Sequence, residues 1–388
     1  MNGIRAAFQA LPAVQQPDWE GRTEIRYVRE ELAELPALIE ARDVDALRDQ
    51  LAEAAAGRIA IVQAGDCAED WAECTADDTI RKAGLLDMLA GVMSMITRRP
   101  VLRAGRLAGQ FGKPRSKPVE VVHGAELPVY RGHMVNSPEP DERLRQPDPY
   151  RLLTGYECAR TVLHHLGWGA ERPRPGSAVW TSHEALLLDY ELPLLRPQPD
   201  GRLLLASTHW PWVGHRTRQP DGAHIALLAA VANPVAVKIG PGSTANELVA
   251  LCERLDPHRI PGRLTLIARF GAADAGRLLP PLVAAVRAAG HPVSWLTDPM
   301  HGNTVPGPDG LKTRLVPDLI REVVEFHRAV TESGGTAAGV HLEATPDAVT
   351  ECADDRAALS GVGDKYTSLC DPRLNPRQAM KVAAAWPG

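Results

Sequence analysis

The sequence has few of the features that define several special classes of protein. Its 388 residues include six cysteines and no Cys-x-x-Cys pair, which argues against a disulfide framework and against a zinc ribbon. The most apolar run, residues 225–232, is far shorter than the roughly 18 residues that cross a bilayer. Residues 1–16 lack the continuous apolar stretch of a signal peptide. These absences predict a cytoplasmic protein that does not enter a membrane.

The chain also lacks an excess of basic residues. Lys and Arg number 43 against 48 Asp and Glu, which gives a formal net charge of −5. Proteins that bind nucleic acids or anionic membranes usually carry positive charge, so we expect neither partner. Hydrophobic residues make up 44% and charged residues 23%, which excludes a disordered or fibrous chain and predicts a globular protein. Local basic clusters could still bind small anions.

From residue 59 onwards, short apolar runs alternate with amphipathic stretches. Several runs are continuously apolar, which is typical of parallel strands that are buried on both faces. Eight strands alternating with helices predict an α/β fold of the (β/α)8 TIM-barrel type. A doubly wound open sheet is the alternative, but it would favour a Gly-x-Gly-x-x-Gly turn after the first strand, and none occurs there. The runs are residues 59–63, 101–103, 178–182, 203–207, 235–239, 264–268, 293–297 and 339–343.

Segments outside this alternating pattern extend the predicted barrel. Residues 1–58 are expected to form an N-terminal helical arm in which Pro36 interrupts the helix. Residues 59–388 are expected to form the catalytic barrel with a C-terminal extension, and residues 114–177 a long irregular excursion. A helical arm outside a closed barrel needs a surface to cover, so we expect a homo-oligomer, with a dimer as the first expectation.

Polar side chains follow every predicted strand, at the edge where barrel enzymes have their active sites. Six of these side chains are cations, which predicts a strongly anionic ligand. Arg matches phosphate or carboxylate with two hydrogen bonds, and Lys acts as a point charge. Two phosphates and a carboxylate would use all six cations. They are Arg106, Lys113, Arg115, Arg216, Lys238 and Arg269.

A second group of polar residues combines one thiol, one imidazole and two carboxylates. This mixture suits a borderline divalent ion, with Mn²⁺ expected first and Co²⁺ or Zn²⁺ as alternatives, better than Mg²⁺ or Ca²⁺. Each residue alone has a structural alternative, such as a small buried hydrophobe for the cysteine or a helix cap for a glutamate. The prediction therefore rests on their occurrence together at strand ends. The four residues are Cys67, His301, Glu343 and Asp371.

Nine motifs occur in order along nearly the whole chain. They are GDCAE (65–69), GRLAGQFGKPRS (105–116), SHEALLLDYE (182–191), RTRQPDGAHIA (216–226), NPVAVKIGP (233–241), GRLTLIARFG (262–271), DPMHGNT (298–304), GVHLEATPDAVTEC (339–352) and CDPRLN (370–375). Together they resemble the short form of the type II 3-deoxy-D-arabino-heptulosonate 7-phosphate (DAHP) synthases, the first enzymes of the shikimate pathway.

The resemblance implies a metal-dependent, aldol-like condensation of phosphoenolpyruvate with erythrose 4-phosphate, with release of phosphate. By motif, the metal ligands would be Cys67, His301, Glu343 and Asp371. The phosphoenolpyruvate-binding residues would be Arg106, Arg216, Lys238 and Arg269, with His215 beside them. The erythrose 4-phosphate-binding residues would be Lys113, Arg115 and Ser116. The expected catalytic residues are Glu184, which matches an active-site acid of the family, and Lys113, which by our own hypothesis gives a proton to the aldehyde-derived oxygen.

Two departures from the family pattern are visible. His215 stands where the family usually has glutamate, and it could add a hydrogen-bond donor or become charged at mildly acid pH. The segment 158–179 is short, whereas longer relatives carry inserted helices that bind aromatic amino acids as inhibitors. We therefore expect weak or absent feedback inhibition and, by analogy with short relatives, a role in secondary metabolism.

Alternative functions and one alternative state stay open at the level of sequence. A related synthase could use an aminosugar phosphate, with His215 as the only hint. A catalytically inactive homologue could act as a binding partner, for instance of a chorismate mutase, although the intact metal and phosphate residues argue against it. Cys67 and Cys370 could form a disulfide when metal is absent, with two reduced thiols as the favoured state.

Overall fold

Fourteen strands and eleven α-helices make up the regular structure of residues 2–122, 124–169, 173 and 176–388, which the computed structural model describes. The strands are β1 (Ala60–Gly65), β2 (Val101–Arg106), β3 (Val119–Val122), β4 (Ala125–Pro128), β5 (Val179–Thr181), β6 (Leu195–Pro197), β7 (Leu203–Leu205), β8 (Trp212–Val213), β9 (Val235–Ile239), β10 (Leu264–Ala268), β11 (Ser294–Thr297), β12 (Thr304–Pro306), β13 (Lys312–Arg314) and β14 (Thr336–Glu343). The helices are α1 (Asn2–Gln9), α2 (Glu24–Glu34), α3 (Ala41–Ala55), α4 (Ala76–Thr97), α5 (Tyr150–His165), α6 (Leu188–Glu191), α7 (Ala223–Ala230), α8 (Ala245–Leu255), α9 (Ala275–Ala288), α10 (Val316–Glu332) and α11 (Pro376–Ala384). None of these described helices has the length and apolarity of a membrane-spanning segment.

Eight parallel strands form the central sheet of the described residues, in the order β5-β2-β1-β14-β11-β10-β9-β8. The two end strands meet, because Glu184 just after β5 bridges Trp212 in β8 in parallel register. The amide of Ala185 also donates a hydrogen bond to the carbonyl of Trp212, at 2.8 Å. The sheet is thus closed into a (β/α)8 barrel, which confirms the predicted fold, and the open doubly wound sheet is wrong.

Helices on the outside of the barrel explain why its strands are continuously apolar. Every residue of β9 and β10 is buried, since side chains on one face fill the barrel and those on the other pack against helices. In α10, Leu319, Val323 and Phe326 follow one another at helical spacing and are buried. Helix α11 follows the last barrel strand and packs between α4 and α10, which completes the outer layer.

The fourth barrel strand lies at β8 and not at residues 203–207, where the sequence predicted it. Strand β7 pairs antiparallel with β6 outside the barrel. The apolar run is real, because Leu204 and Leu205 are buried in the common core. It was assigned to the wrong place because burial alone does not distinguish a packed hairpin from a barrel strand. The true strand, with two residues, is too short to show a pattern.

Residues 114–177, predicted to be irregular, include two regular elements. Strands β3 and β4 pair antiparallel as a hairpin. Helix α5 occupies the position after β2 and packs against α2 and α4. Its buried residues Leu152, Tyr156, Ala159 and Leu163 have helical spacing. The prediction of an irregular segment is therefore wrong for these two elements.

The N-terminal helices pack against the barrel of their own chain. Helices α2 and α3 are separate, and the break contains Pro36 as expected. Val28 and Leu32 of α2, and Leu47 and Leu51 of α3, are buried in the same hydrophobic core as the barrel strands. Because the chain itself covers these apolar faces, their amphipathic pattern gives no argument for self-association.

Candidate active site

A cavity of about 790 Å³ opens at the C-terminal ends of the barrel strands. All of the site residues predicted from sequence line it except Glu343, which is fully buried and contacts the lining residues His301 and Arg314. Nine cations line this cavity, although the chain as a whole has a net charge of −5. They are Arg106, Lys113, Arg115, Lys117, Arg216, Lys238, Arg269, Lys312 and Arg314.

One side of the cavity brings three of the four predicted metal ligands together and places the fourth, His301, in contact with one of them. Cys67 follows β1, Glu343 ends β14 and Asp371 lies in the C-terminal segment. One donor atom from each of these three residues lies within 4.8 Å of the other two. His301, after β11, places Nε2 3.4 Å from Oε1 of Glu343. Its Nδ1 is 2.8 Å from Asp298, a contact that orients the imidazole towards the cluster, as carboxylates commonly do for metal-binding histidines.

The chemistry of these donors fits a borderline divalent metal ion. A thiol, an imidazole and two carboxylates form the mixed soft and hard set that such ions accept. Burial alone would raise the pKa of Glu343, but the charges of His301, Lys113 and Arg314 lower it, so the carboxylate stays ionised as a ligand must. Oε2 of Glu343 lies 2.8 Å from Arg314.

Lys113 reaches the same cluster from the loop after β2. Its Nζ lies 2.8 Å from Oδ2 of Asp371 and contacts the thiol of Cys67. A second lysine, Lys312, lies 2.8 Å from the other oxygen of Asp371. The side of the cavity with the four predicted ligands is therefore also where a lysine ammonium could donate a proton to a bound molecule.

The floor of the cavity is formed by its most deeply buried residues, which are Cys67, Glu343 and cations with fixed partners. Arg106 is 1% exposed, and its guanidinium donates to the carbonyl of Asp66 at 3.0 Å. Lys238 is the penultimate residue of β9, with Nζ 2.7 Å from Asp298 and 4.5 Å from the centre of the Trp212 ring. Burial lowers the pKa of Lys238, while the negative charge of Asp298 opposes that shift. Such prearranged cations can stabilise anions without reorganising.

The rim of the cavity is built from loops and is more exposed. Arg115 lies 2.9 Å from Glu120 of the β3–β4 hairpin. Arg216 donates to the hydroxyl of Ser116 at 2.6 Å, which joins the loop after β2 to the loop after β8. Both residues of that contact are exposed, so an anion could reach them from solvent.

Glu184 directs a carboxyl group into the cavity. Its Oε1 is buried and has no hydrogen-bond partner among the described residues. Burial raises the pKa of this carboxyl group, although Lys238 and Lys113 oppose the shift. Gly214 faces it so closely that a Cβ there would overlap with Oε1. A buried carboxyl group that faces substrate space is suited to exchange a proton.

His215 is a neutral hydrogen-bonding group in this structure. Nε of Arg218 donates to its Nδ1 at 3.2 Å, which leaves the ring proton on Nε2. Burial, with the positive charges of Arg218, Arg269 and Arg216, lowers the pKa of His215 to about 4. Of the two roles expected from sequence, the added donor fits this environment. Charging at mildly acid pH does not.

Sequence reasoning missed some cavity residues, among them Lys312 and Arg314 on β13. This strand forms a hairpin with β12 and is not a barrel strand, so a search of barrel-strand ends passes over it. The signal that could have found them is the Lys-Thr-Arg alternation, because side chains two apart on a strand point to the same face. Gln110 was also missed, and its Oε1 accepts a hydrogen bond from the amide of Glu184 at 3.0 Å.

A barrel whose mouth combines metal-type ligands with many cations defines an enzyme that acts on phosphorylated anions. Comparisons with known proteins give its family. Residues 4–171 and 169–386 match the model of the class-II DAHP synthetase family. The chain is 53% identical over 377 residues to a Pseudomonas fluorescens protein named "Probable phospho-2-dehydro-3-deoxyheptonate aldolase", covering 96% of this chain and 94% of that one. A Streptomyces coelicolor phospho-2-dehydro-3-deoxyheptonate aldolase is 37% identical over 426 residues, covering 97% and 95%.

The solved structure of the phospho-2-dehydro-3-deoxyheptonate aldolase of Francisella tularensis SCHU S4 has a similar fold. It gives a TM-score of 0.56 at 12% identity and covers 93% of this chain and 95% of its own. The chain belongs to the class-II DAHP synthetase family, as its motifs indicated. Its activity is that of a DAHP synthase, a transferase of the shikimate pathway. Enzymes of this metal-dependent family use phosphoenolpyruvate and erythrose 4-phosphate.

Proposed function

We propose that the cavity holds both substrates of the DAHP synthase reaction between the metal cluster and the cations. The observation that supports this most is the convergence of the Cys67–Glu343–Asp371 cluster and nine cations on one space. Phosphoenolpyruvate carries a phosphate and a carboxylate, and erythrose 4-phosphate carries a second phosphate. The excess of cations matches this demand for charge.

Phosphoenolpyruvate lies on the floor in this proposal and reaches Arg216 at the rim. Its binding residues are Arg106, Arg216, Lys238 and Arg269, with His215 as a neutral donor. The phosphate of erythrose 4-phosphate lies at the rim on Arg115 and Ser116, and its aldehyde points towards Lys113. The different depths of the floor and rim residues support this arrangement. The aldehyde of erythrose 4-phosphate must reach the floor, whereas the phosphate at the other end of the same molecule need not.

A divalent metal, Mn²⁺ in our proposal, binds at Cys67, His301, Glu343 and Asp371. When bound it supplies Lewis-acid polarisation of the aldehyde carbonyl. The protein's own part is to orient C3 of phosphoenolpyruvate towards the aldehyde carbon and to neutralise both anions. The side chain of Asp298 supports both regions, because it contacts His301 and Lys238.

Protons move at two stated positions. As C3 of phosphoenolpyruvate bonds to the aldehyde carbon, Lys113 gives a proton to the former aldehyde oxygen. Water adds at C2, and Glu184 accepts its proton. The bond from C2 to the phosphate oxygen then breaks, and the C2 hydroxyl proton passes to the departing phosphate, which leaves the C2 ketone and releases inorganic phosphate. Both residues line the cavity, and the nearest contacts of Lys113 are the predicted metal ligands.

The decisive experiment follows the absorbance of phosphoenolpyruvate in the presence of erythrose 4-phosphate. We expect loss of absorbance that stops after chelation and returns when Mn²⁺ is added. An unchanged rate after complete chelation would contradict the proposed metal site. No loss under either condition would instead favour the inactive binding homologue.

We further propose a cytoplasmic enzyme that serves secondary metabolism and escapes feedback inhibition. The short connection between α5 and β5, residues 166–178, supports the last point, because it leaves little chain for an additional inhibitor site. Initial rates with tryptophan, phenylalanine or tyrosine test it. Inhibition at micromolar tryptophan would show that the proposal is wrong.

A further inference from the structure

An N-terminal segment contacts loops at the C-terminal end of the barrel. This segment, residues 11–19, is called the mouth strap below. The carbonyl of Pro12 accepts a hydrogen bond from the amide of Ala223, at 2.9 Å. Nε1 of Trp19 donates to Asp189 at 2.7 Å. The strap is thus fixed to α7 near one end and to α6 near the other, and Gln15 and Gln16 lie between these two anchors.

Two adjacent glutamines of the strap bind two different loops. Oε1 of Gln15 accepts a hydrogen bond from the amide of Arg115 at 2.8 Å. The side chain of Gln16 instead binds the segment after Glu184, where it accepts from the amide of Leu188 at 3.0 Å and donates to the carbonyl of Leu186 at 2.8 Å. Each glutamine therefore contacts one of the chain segments that carry predicted catalytic residues.

Hydrogen bonds connect Gln15 to the loop from Lys113 to Ser116, both directly and through Arg131. Its carbonyl accepts a hydrogen bond from Arg131, at 2.6 Å. The carbonyl of Arg131 in turn accepts from the amide of Lys113, at 2.8 Å. Lys113 and Arg115 are therefore both fixed through backbone amides to a circuit that passes through Gln15. Gln15 has φ of 63°, a conformation that residues other than glycine rarely adopt, so its surroundings must hold it there.

We propose that Gln15 is a positioning residue for erythrose 4-phosphate, acting through the backbone of the Lys113–Ser116 loop. This inference rests on the proposed assignment of that loop to erythrose 4-phosphate. The side chain of Arg115 lines the cavity and pairs with Glu120, so a shift of the Arg115 backbone would move the guanidinium away from the proposed site of the phosphate. The N-terminal arm then belongs functionally to the active site, although it precedes the barrel.

The test compares Gln15→Ala with the wild-type enzyme, both loaded with Mn²⁺. Hydrogen exchange followed by mass spectrometry should show faster exchange in peptides that contain the Arg115 amide. The KM for erythrose 4-phosphate should rise roughly tenfold, as expected for one lost hydrogen bond that orders a binding loop. The KM for phosphoenolpyruvate should stay within about twofold. Metal content and melting temperature show whether the fold is intact.

Gln16→Ala is the matched control, because it removes a neighbouring strap contact that does not reach Arg115. It should leave the KM for erythrose 4-phosphate within about twofold. An equal rise in both variants would overturn the specific role of Gln15. Unchanged exchange at Arg115 would overturn the positioning contact itself. Faster exchange with an unchanged KM would instead show that the loop does not serve erythrose 4-phosphate. If Gln15→Ala does not fold, Gln15→Asn is measured in the same way, since Asn tolerates positive φ.

Discussion

The floor and the rim of the cavity hold their charges in different ways. On the floor, Arg106 and Glu343 are at most 1% exposed. They end β2 and β14, the two strands on either side of β1, so the sheet fixes their positions. At the rim, Arg115 and Arg216 extend from loops, and their partners are Glu120 in the β3–β4 hairpin and Ser116 on a loop. The closed barrel sets the first group, and contacts made by loops and a hairpin outside the barrel sheet set the second.

This difference indicates that the floor serves the chemical step and that the rim binds the incoming substrate. Buried charges interact strongly because water does not screen them, so errors of position on the floor affect the transition state directly. Exposed charges are screened and can move, which suits the admission of a phosphorylated substrate. Substitutions on the floor should therefore lower kcat, and those at the rim should mainly raise KM.

The largest effect should follow the loss of a floor ligand. Cys67→Ala should lower turnover on the order of a thousandfold, because Lewis-acid polarisation is worth several kcal/mol. The purified variant should also contain much less metal by elemental analysis. Cys252→Ala is the control, since Cys252 is a buried thiol on α8 away from the cavity. If Cys67→Ala keeps its metal and its activity, the floor does not include this ligand.

The second effect separates proton transfer from metal binding. Lys113→Met should lower kcat at least about a hundredfold, as is usual for a lost general acid, with metal content unchanged. Lys117→Met removes a lysine that lines the same cavity from an exposed position and should have a much smaller effect. Single-turnover rates measure the difference. Retained activity in Lys113→Met would remove Lys113 from the proposed mechanism.

Sequence patterns predicted most residues of the floor, because the C-terminal ends of parallel strands lie at the same edge of a barrel. Cys67, Lys238 and Glu343 each stand at or just after an apolar run, and parallel strands bring such positions to the same edge. The error at residues 203–207 shows the limit of this argument. Leu204 and Leu205 are as apolar and as buried as barrel residues, and only hydrogen-bond pairing shows that they belong to a hairpin.

Rim contacts were harder to predict because they join residues that are distant in sequence. No periodicity connects Gln15 with Arg115, which are 100 positions apart. Lys312 approaches Asp371 only because a hairpin after β11 turns back over the cavity. Such loop geometry depends on individual turns and side-chain hydrogen bonds, and hydrophobic pattern does not report these. The motif resemblance supplied the rim residues Arg115, Ser116 and Arg216 as a group but not the contacts that hold them.

A third prediction tests the exposed character of the rim. Arg115→Ala should raise the KM for erythrose 4-phosphate roughly tenfold, the scale of one charge-assisted hydrogen bond, with a smaller change in kcat. Because rim charges are screened, added salt should reduce the difference between variant and wild type. Arg143→Ala, which changes an exposed arginine outside the cavity, is the control. A drop in kcat as large as that of Lys113→Met would contradict the division between floor and rim.

The smallest effect should come from His215, which lies at the boundary of the two regions. Its folded pKa of about 4 is below the ordinary value of about 6.5, so between about pH 5 and 8 it stays neutral. His215→Gln keeps a neutral donor, and its carbonyl oxygen can still accept from Arg218. We therefore expect kcat/KM for phosphoenolpyruvate within about threefold of wild type and pH profiles of the same shape in that range.

The same lowered pKa of His215 should also make the free energy of unfolding depend on pH. Between about pH 6.5 and 4 the unfolded chain binds a proton at His215 that the folded protein does not, so acidification favours unfolding. His215→Gln has no such proton, and its urea midpoint should fall less than that of wild type as the pH decreases through this window. If the activity of the wild type changes with pH near pH 6 and that of His215→Gln does not, His215 becomes charged during catalysis. The residue would then act as a cation of the rim and not as the neutral donor that its contact with Arg218 and its burial indicate.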